Sequence, residues 1–106
     1  MHSIYKIIVY APIAAADKVR KAIGDAGGGK IGRYSHCTFS SRGTERFTPQ
    51  EGAKPAIGKV GKPEEVVGER IEFVCETRCL DEVIAAIRKA HPYEEPVIET
   101  WRIERR

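Results

Sequence analysis

The length of 106 residues predicts one domain, residues 1–106, with a single hydrophobic core and no room for separate catalytic and cofactor domains. A composition of 42% hydrophobic and 31% charged residues excludes a disordered chain, and the longest apolar run is too short for a membrane span. The net charge of +3 is small, and the basic residues alternate with glutamates along the chain. A nucleic-acid-binding face is therefore not expected.

The beginning of the chain and its cysteines indicate the compartment. No charged and then apolar leader precedes the first strand-like run. The three cysteines, Cys37, Cys75 and Cys79, are an odd number and too few for a secreted disulfide scaffold. Reduced thiols in the cytoplasm are therefore expected.

A strand followed by a helix opens the predicted fold. Residues 3–11, SIYKIIVYA, are mostly β-branched and aromatic, which predicts a central strand. Residues 14–26 carry alanine, valine and isoleucine at helical spacing, with charged residues on the opposite side. Three glycines at 27–29 end this helix, because glycine adopts the left-handed cap conformation without steric cost. The same glycines could resemble a phosphate-binding loop, but such a loop follows a strand and precedes a helix.

Residues 30–41, KIGRYSHCTFSS, have the alternating pattern that predicts a second strand. Alternation would place Cys37 and Phe39 on one face, where Cys37 is expected to be buried, and His36 on the other. Since neighbours on a strand point to opposite sides, His36 and Cys37 cannot form a catalytic pair with each other.

Residues 42–68 are rich in glycine, proline and charge, and they are too many for a simple connection. We expect a long loop with a short hairpin near residues 45–48. The charged side chains suit an anionic ligand or a partner protein, and a solvated loop without a ligand explains them equally well. Glu45 and Arg46 are candidate binding residues, with Arg46 first because a guanidinium binds carboxylates or phosphates in a bidentate manner.

The second half repeats the pattern of the first. Residues 70–76 alternate, with Cys75 among the inward positions, and predict a third strand. Residues 79–91 predict an amphipathic helix, and residues 96–104 a last strand. The order βαββαβ predicts a ferredoxin-like α+β sandwich, in which two helices cover one face of a four-stranded antiparallel sheet.

The segment HPYEEP, residues 91–96, places an imidazole, a phenol and two carboxylates close together. His91, Tyr93, Glu94 and Glu95 are candidate ligand-binding residues, because such groups hold a divalent cation or move a proton. A structural turn explains the same residues: the imidazole bonds free helical carbonyls, the proline ends the helix, the tyrosine packs and the glutamates stay solvated. Both interpretations stay open.

Two segments resemble a known family. They are YSHCTFSSRGTERFTPQEGAKPAIGKVG, residues 34–61, and HPYEEPV, residues 91–97. Both resemble the inserted domain of the Nif-three-like proteins, and the resemblance extends over nearly the whole chain. It implies a fold similar to CutA and to the PII signalling proteins, and hence a homotrimer. The long loop would then be the part that contacts a partner protein.

The resemblance also limits what can be transferred. In full-length members of the family, metal ligands and hydrolase-like activity belong to a larger two-lobed domain, and this chain is expected to be the insert alone. Residues 43–47 read GTERF where the family commonly has GTGRF, so Glu45 replaces a flexible glycine by a charged residue. The last strand carries Trp101 and Arg102, a pair that the family usually lacks.

These observations favour a trimeric binding or regulatory module of the PII and CutA type over an enzyme. No catalytic residue is assigned and the ligand is not identified. The candidate binding residues are His36, Glu45, Arg46, His91, Tyr93, Glu94 and Glu95. In a trimer, His36 can meet the HPYEEP segment of a neighbouring subunit.

Two alternatives belong to other classes. One is a metal-tolerance protein that binds a divalent metal ion as its cofactor, with His36, His91 and Glu94 as candidate ligands. The other is a metal-assisted hydrolase that acts on a nucleotide-like substrate through the same residues and Glu95.

Overall fold

The computed structural model describes residues 4–106, so Ser3 of the predicted first strand lies outside the described residues. The elements in chain order are β1 (Ile4–Pro12), α1 (Ile13–Asp25), β2 (Phe39–Phe47), β3 (Glu64–Glu76), α2 (Leu80–Ala90) and β4 (Ile98–Ile103). A single 3-10 turn, Thr77–Cys79, joins β3 to α2. The predicted βαββαβ order is confirmed, with boundaries that shift by a few residues in most elements.

The four strands form one sheet in the order β2-β3-β1-β4, and each neighbouring pair is antiparallel. Alternate residues of β1 and β3 face the two helices, and Cys75 lies among them as predicted. Each fully buried isoleucine or valine stabilises the fold by about 1.5–3 kcal/mol. The largest fully buried side chains are Ile7, Val9, Val19, Ile23, Ile71, Val83 and Ile87.

The two helices are short and amphipathic. α1 ends where Gly27 takes a φ of +103° and the amide of Gly28 bonds the carbonyl of Ile23 at 2.9 Å. α2 has acidic residues in its first turn and basic residues in its last, in keeping with the helix dipole. Neither helix within residues 4–106 combines the length and the apolar character needed to cross a bilayer.

The face of the sheet away from the helices is here called the open face. Cross-strand pairing places Lys6 between Val74 and Trp101 on it. Ile8, the next residue of β1 on this face, is only 3% exposed, whereas Trp101 in β4 is 46% exposed and Phe39 in β2 is 68% exposed. The open face therefore presents large apolar side chains at its edges.

The predicted second strand, 30–41, is wrong in position, since β2 begins only at Phe39. Residues 30–38 form a turn in which Gly32 and His36 have left-handed φ values of +57° and +58°. Such residues interrupt the extended backbone that alternation needs. Cys37, which the sequence predicts to be buried, is only half-buried, and Phe39 is exposed on the edge strand β2.

The predicted loop 42–68 is also too long. Residues 42–47 belong to β2 and residues 64–68 to β3, so the irregular segment spans residues 48–63. Glu45 consequently lies in a strand opposite Val66 and not in a flexible loop. Both faces of the outer parts of β2 and β3 are largely exposed to solvent. Charged residues therefore occur on both faces, and the alternation of apolar and polar residues that marks a strand is absent.

Gly29 holds the 30–38 turn against the sheet. Its amide donates to the carbonyl of Val74 at 2.7 Å, and its carbonyl accepts from the amide of Cys37 at 2.9 Å. A Cβ at Gly29 would lie 2.5 Å from the carbonyl oxygen of Cys37. Gly29 has a left-handed φ of +75°, as does Gly32 at +57°, but a Cβ at Gly32 would meet nothing within 4 Å.

Comparison of Gly29→Ala with Gly32→Ala separates two costs of adding a Cβ. Both variants strain a left-handed backbone, but only Gly29→Ala also brings a side chain against the backbone of Cys37. We expect Gly32→Ala to lower the free energy of unfolding by about 1 kcal/mol, the cost of the left-handed conformation. Gly29→Ala is expected to lose about 2 kcal/mol more, because the backbone of Cys37 must also move. Urea denaturation of both variants measures the difference, and equal losses would contradict the role of Gly29.

Candidate functional site

A cavity of about 350 Å³ lies between the end of β2, the 48–63 loop and the HPYEEP turn. Its apolar lining includes Phe47, Pro49, Pro55, Ile57 and Val97. The side chains with polar groups are those of Tyr10, Glu45, Arg46, Thr48, Tyr93, Glu94 and Glu95. Such a mixture of apolar wall and few polar groups is typical of ligand sites.

The 48–63 loop is closed at its base and attached to the turn opposite. The amide of Gly61 donates to the carbonyl of Pro49 at 2.8 Å, which closes the loop on itself. The amide of Lys54 donates to the carboxylate of Glu94 at 3.0 Å. These two bonds hold one wall of the cavity against the other.

His91 supports the cavity from behind and is only 6% exposed. Its Nε2 lies 2.6 Å from the carbonyl oxygen of Tyr10, and its Nδ1 accepts from the amide of Tyr93 at 3.1 Å. The neutral imidazole with the proton on Nε2 satisfies both bonds. Burial lowers the pKa of His91, against a smaller opposing effect of the bond to Tyr10, and thus favours this neutral form.

Tyr93 and Glu45 meet at the inner end of the cavity. The phenol of Tyr93 lies 3.5 Å from Oε2 of Glu45, and its ring is tilted against that of Phe47 with centroids 6.1 Å apart. Burial raises the pKa of Glu45, and the bond from Tyr93 lowers it by less. Burial, with a contribution from Glu45, raises the pKa of Tyr93 to about 12.

Gly68 makes room for Glu45 and was not among the predicted site residues. A Cβ at Gly68 would lie 2.0 Å from Oε2 of Glu45, so this carboxylate can lie over β3 only where there is no side chain. A single glycine inside the alternating run VVGERIEF is a signal of close approach that the sequence contains. Gly43, its cross-strand partner, has open space at the same position.

Arg46 and His36 are placed differently from the other candidates. Arg46 lines the cavity, but its Nε donates to Glu65 at 3.1 Å, and both side chains are exposed. The ring nitrogens of His36 lie 3.0 Å from Asp25 and 2.9 Å from Ser35. His36 lies close to Val74 of β3, whereas Glu45 is paired with Val66 of the same strand. Val66 and Val74 are eight residues apart, which is roughly 26 Å along a strand.

Five of the seven predicted binding residues thus line one cavity, His91 lies behind it, and His36 is remote within the chain. The proposed metal ligands His36, His91 and Glu94 do not converge in one copy. Within the described residues, 4–106, no three His, Cys, Asp or Glu side chains are grouped so as to hold a metal ion.

Known proteins match the chain over part of their length. No family model matches it. The protein named GTP cyclohydrolase 1 type 2 homolog from Halalkalibacterium halodurans is 46% identical over 99 residues, which is 93% of this chain and 27% of that protein. The protein of the same name from Mycobacterium tuberculosis is 46% identical over 98 residues, or 92% of this chain and 26% of that protein. The chain therefore spans about a quarter of the length of the curated relatives that it matches.

Solved structures agree with this match. A Bacillus cereus protein related to NIF3 superposes with a TM-score of 0.84 and 43% identity, covering 98% of this chain and 26% of that one. CutA from Archaeoglobus fulgidus superposes with a TM-score of 0.65 at 20% identity, and the match covers 99% of this chain and 86% of CutA. GlnK of Bacillus subtilis in complex with ATP superposes with a TM-score of 0.64 at 12% identity, and the match covers 95% of this chain and 82% of GlnK. The predicted resemblance to Nif-three-like proteins and the predicted CutA and PII type of fold are confirmed.

The titration of Glu45 tests the inner end of the cavity. We expect its NMR titration midpoint to lie above that of an ordinary glutamate, because burial disfavours the carboxylate. Tyr93→Phe should raise the midpoint further, since it removes the donor that favours the charged form. Protonation of a carboxyl whose folded pKa is raised stabilises the fold, so stability falls as the pH rises through the Glu45 midpoint.

Tyr34→Phe is the control for this titration. Tyr34 is 74% exposed and lies outside the cavity lining, so its hydroxyl should not affect Glu45. A Glu45 midpoint that is ordinary, or that does not respond to Tyr93→Phe, would contradict the described contact.

Proposed function

We propose that this relative of the Nif-three-like proteins is a ligand-binding regulatory module whose ligand occupies the cavity between the 48–63 loop and the HPYEEP turn. The observation that carries the proposal is the convergence of Glu45, Arg46, Tyr93, Glu94 and Glu95 on one cavity of about 350 Å³. A volume in the range of small-molecule sites supports it. The scaffold shared with CutA and GlnK is consistent with a module of this type but concerns the fold alone.

The module works as a homotrimer in this proposal, with the open face between subunits. Trp101 and Phe39 are large apolar residues exposed at the two edges of that face. A protein of this size gains free energy by covering them with another copy. Ion pairing of Glu72 with Lys6 and Arg70 supplies polar groups beside the apolar ones. Such a mixed surface suits an interface that repeats around a symmetry axis.

The 48–63 loop carries the signal of the module to a partner protein. One hydrogen bond, from Lys54 to Glu94, links the middle of the loop to the opposite wall of the cavity. A ligand that enters between these walls competes with that bond or strengthens it, and changes the surface that the loop presents. In longer relatives, the partner surface would belong to the rest of the same protein. We place the module in the cytoplasm, for which the three free thiols are the support.

Native mass spectrometry of untagged protein purified without chelator tests the assembly and any bound small species together. We expect three times the mass of one chain. Trp101→Glu should give monomers, because the trimer would bury an unpaired carboxylate at the interface. Ile31→Glu is the matched control: Ile31 is 41% exposed, similar to Trp101, but lies in the 30–38 turn outside the open face.

A monomeric wild-type protein would contradict the trimer. The same oligomeric state for both variants would contradict the open face as its interface. A trimer that carries a small molecule of constant mass per chain would support the cavity as a ligand site and would give the mass of the ligand.

A further inference from the structure

We propose that the cavity selects a small organic cation, namely an ammonium or guanidinium group carried on an apolar body. This inference rests on the proposed function, since it takes the cavity to be the ligand site, and it names the class of ligand. It differs from one of the alternatives that the sequence leaves open for the loop, namely an anionic ligand with Arg46 as the first candidate to bind it.

The charges around the cavity favour a cation. Three carboxylates, of Glu45, Glu94 and Glu95, line it, and none of the three is ion-paired with a lysine or arginine of residues 4–106. Arg46, a basic residue of the lining, directs its Nε to Glu65. With three carboxylates against one guanidinium, the ionisable groups that line the cavity carry a net negative charge, although the chain has a net charge of +3. Phosphates and carboxylates are repelled by such a site.

Glu45 is the carboxylate with most to gain from a cation. It is partly buried, and its contact with the Tyr93 phenol is 3.5 Å long, a distance at which a hydrogen bond is weak. Partial burial disfavours a carboxylate without a strong partner, and it accordingly raises the pKa of Glu45. A ligand ammonium would supply the partner that the chain does not.

The walls of the cavity favour an apolar body next to the charge. Phe47 and Tyr93 have ring centroids 6.1 Å apart, and Pro55, Ile57 and Val97 complete an apolar surface around them. Aromatic faces attract organic cations in addition to excluding water. The volume of about 350 Å³ lies at the lower end of the range for small-molecule sites.

Three probes of similar shape and different charge test the selection. They are phenethylammonium, 2-phenylethanol and 3-phenylpropionate, titrated at pH 7 and low salt into ¹⁵N-labelled protein. We expect phenethylammonium to shift the amides around Tyr93 and to bind roughly tenfold more tightly than the alcohol, in keeping with charge-assisted hydrogen bonds. The propionate should leave these amides unshifted, and salt should weaken the ammonium alone.

Variants locate the selecting carboxylate. Glu45→Gln is expected to abolish the preference for the cation while the alcohol binds as before. Glu82→Gln is the matched control, because it makes the same change of charge at an exposed position of α2 outside the cavity lining. Gly68→Ala places a Cβ 2.0 Å from Oε2 of Glu45 and 3.0 Å from the carbonyl oxygen of Ala11, so it moves the carboxylate without changing the charge and should weaken the preference in the same direction as Glu45→Gln. Gly43→Ala, with open space at its Cβ, should have none.

The outcomes separate this inference from the proposed function. If the alcohol or the propionate binds at the cavity as tightly as the ammonium, the charge selection is wrong and the cavity remains a ligand site. If none of the three probes shifts the cavity amides, both proposals fail. If the preference survives in Glu45→Gln and in Gly68→Ala, Glu45 is not the selecting group and the inference is overturned.

Discussion

The imidazole of His91 joins three parts of the molecule at the point where the second helix ends. One ring nitrogen bonds the carbonyl of Tyr10 near the end of β1, and the other accepts the amide of Tyr93 in the HPYEEP turn. Because both bonds are buried, losing either would leave a polar group unsatisfied. The position of Tyr93, and with it the inner wall of the cavity, depends on this pair of bonds. The segment that suggested metal or acid-base chemistry thus has a structural histidine at its centre.

Sequence patterns predicted the parts of the fold that have one dry and one wet face. The run from 70 to 76 alternates because Ile71, Phe73 and Cys75 pack under the helices while the residues between them face the other way. The same reasoning failed at 30–41 and at 42–68. In the first segment two left-handed residues break a strand whose composition looks regular. In the second, a hairpin extends beyond the helices with both faces wet, so that no periodicity marks it.

In the candidate site, too, the sequence predicted some features and not others. Residue chemistry identified Glu45, Arg46, Tyr93, Glu94 and Glu95, which the fold brings together. What the sequence could not provide was the pairing of β2 with β3, which decides that Glu45 lies over Gly68 and that His36 lies far away at the end of α1. Distances of this kind depend on strand register, and a shift of one residue would turn Glu45 to the other face. The site is therefore a property of the hairpin as much as of its residues.

The proposed function requires that small molecules bind in the cavity. Crystals of the protein soaked with a set of neutral aromatic fragments would test this directly, without assuming the charge of the natural ligand. We expect fragments with different scaffolds to recur against the exposed sides of the Phe47 and Tyr93 rings, which contact each other, and within reach of Glu45. Fragments that bind only elsewhere on the protein, with ordered water alone in this cavity, would contradict the cavity as a ligand site.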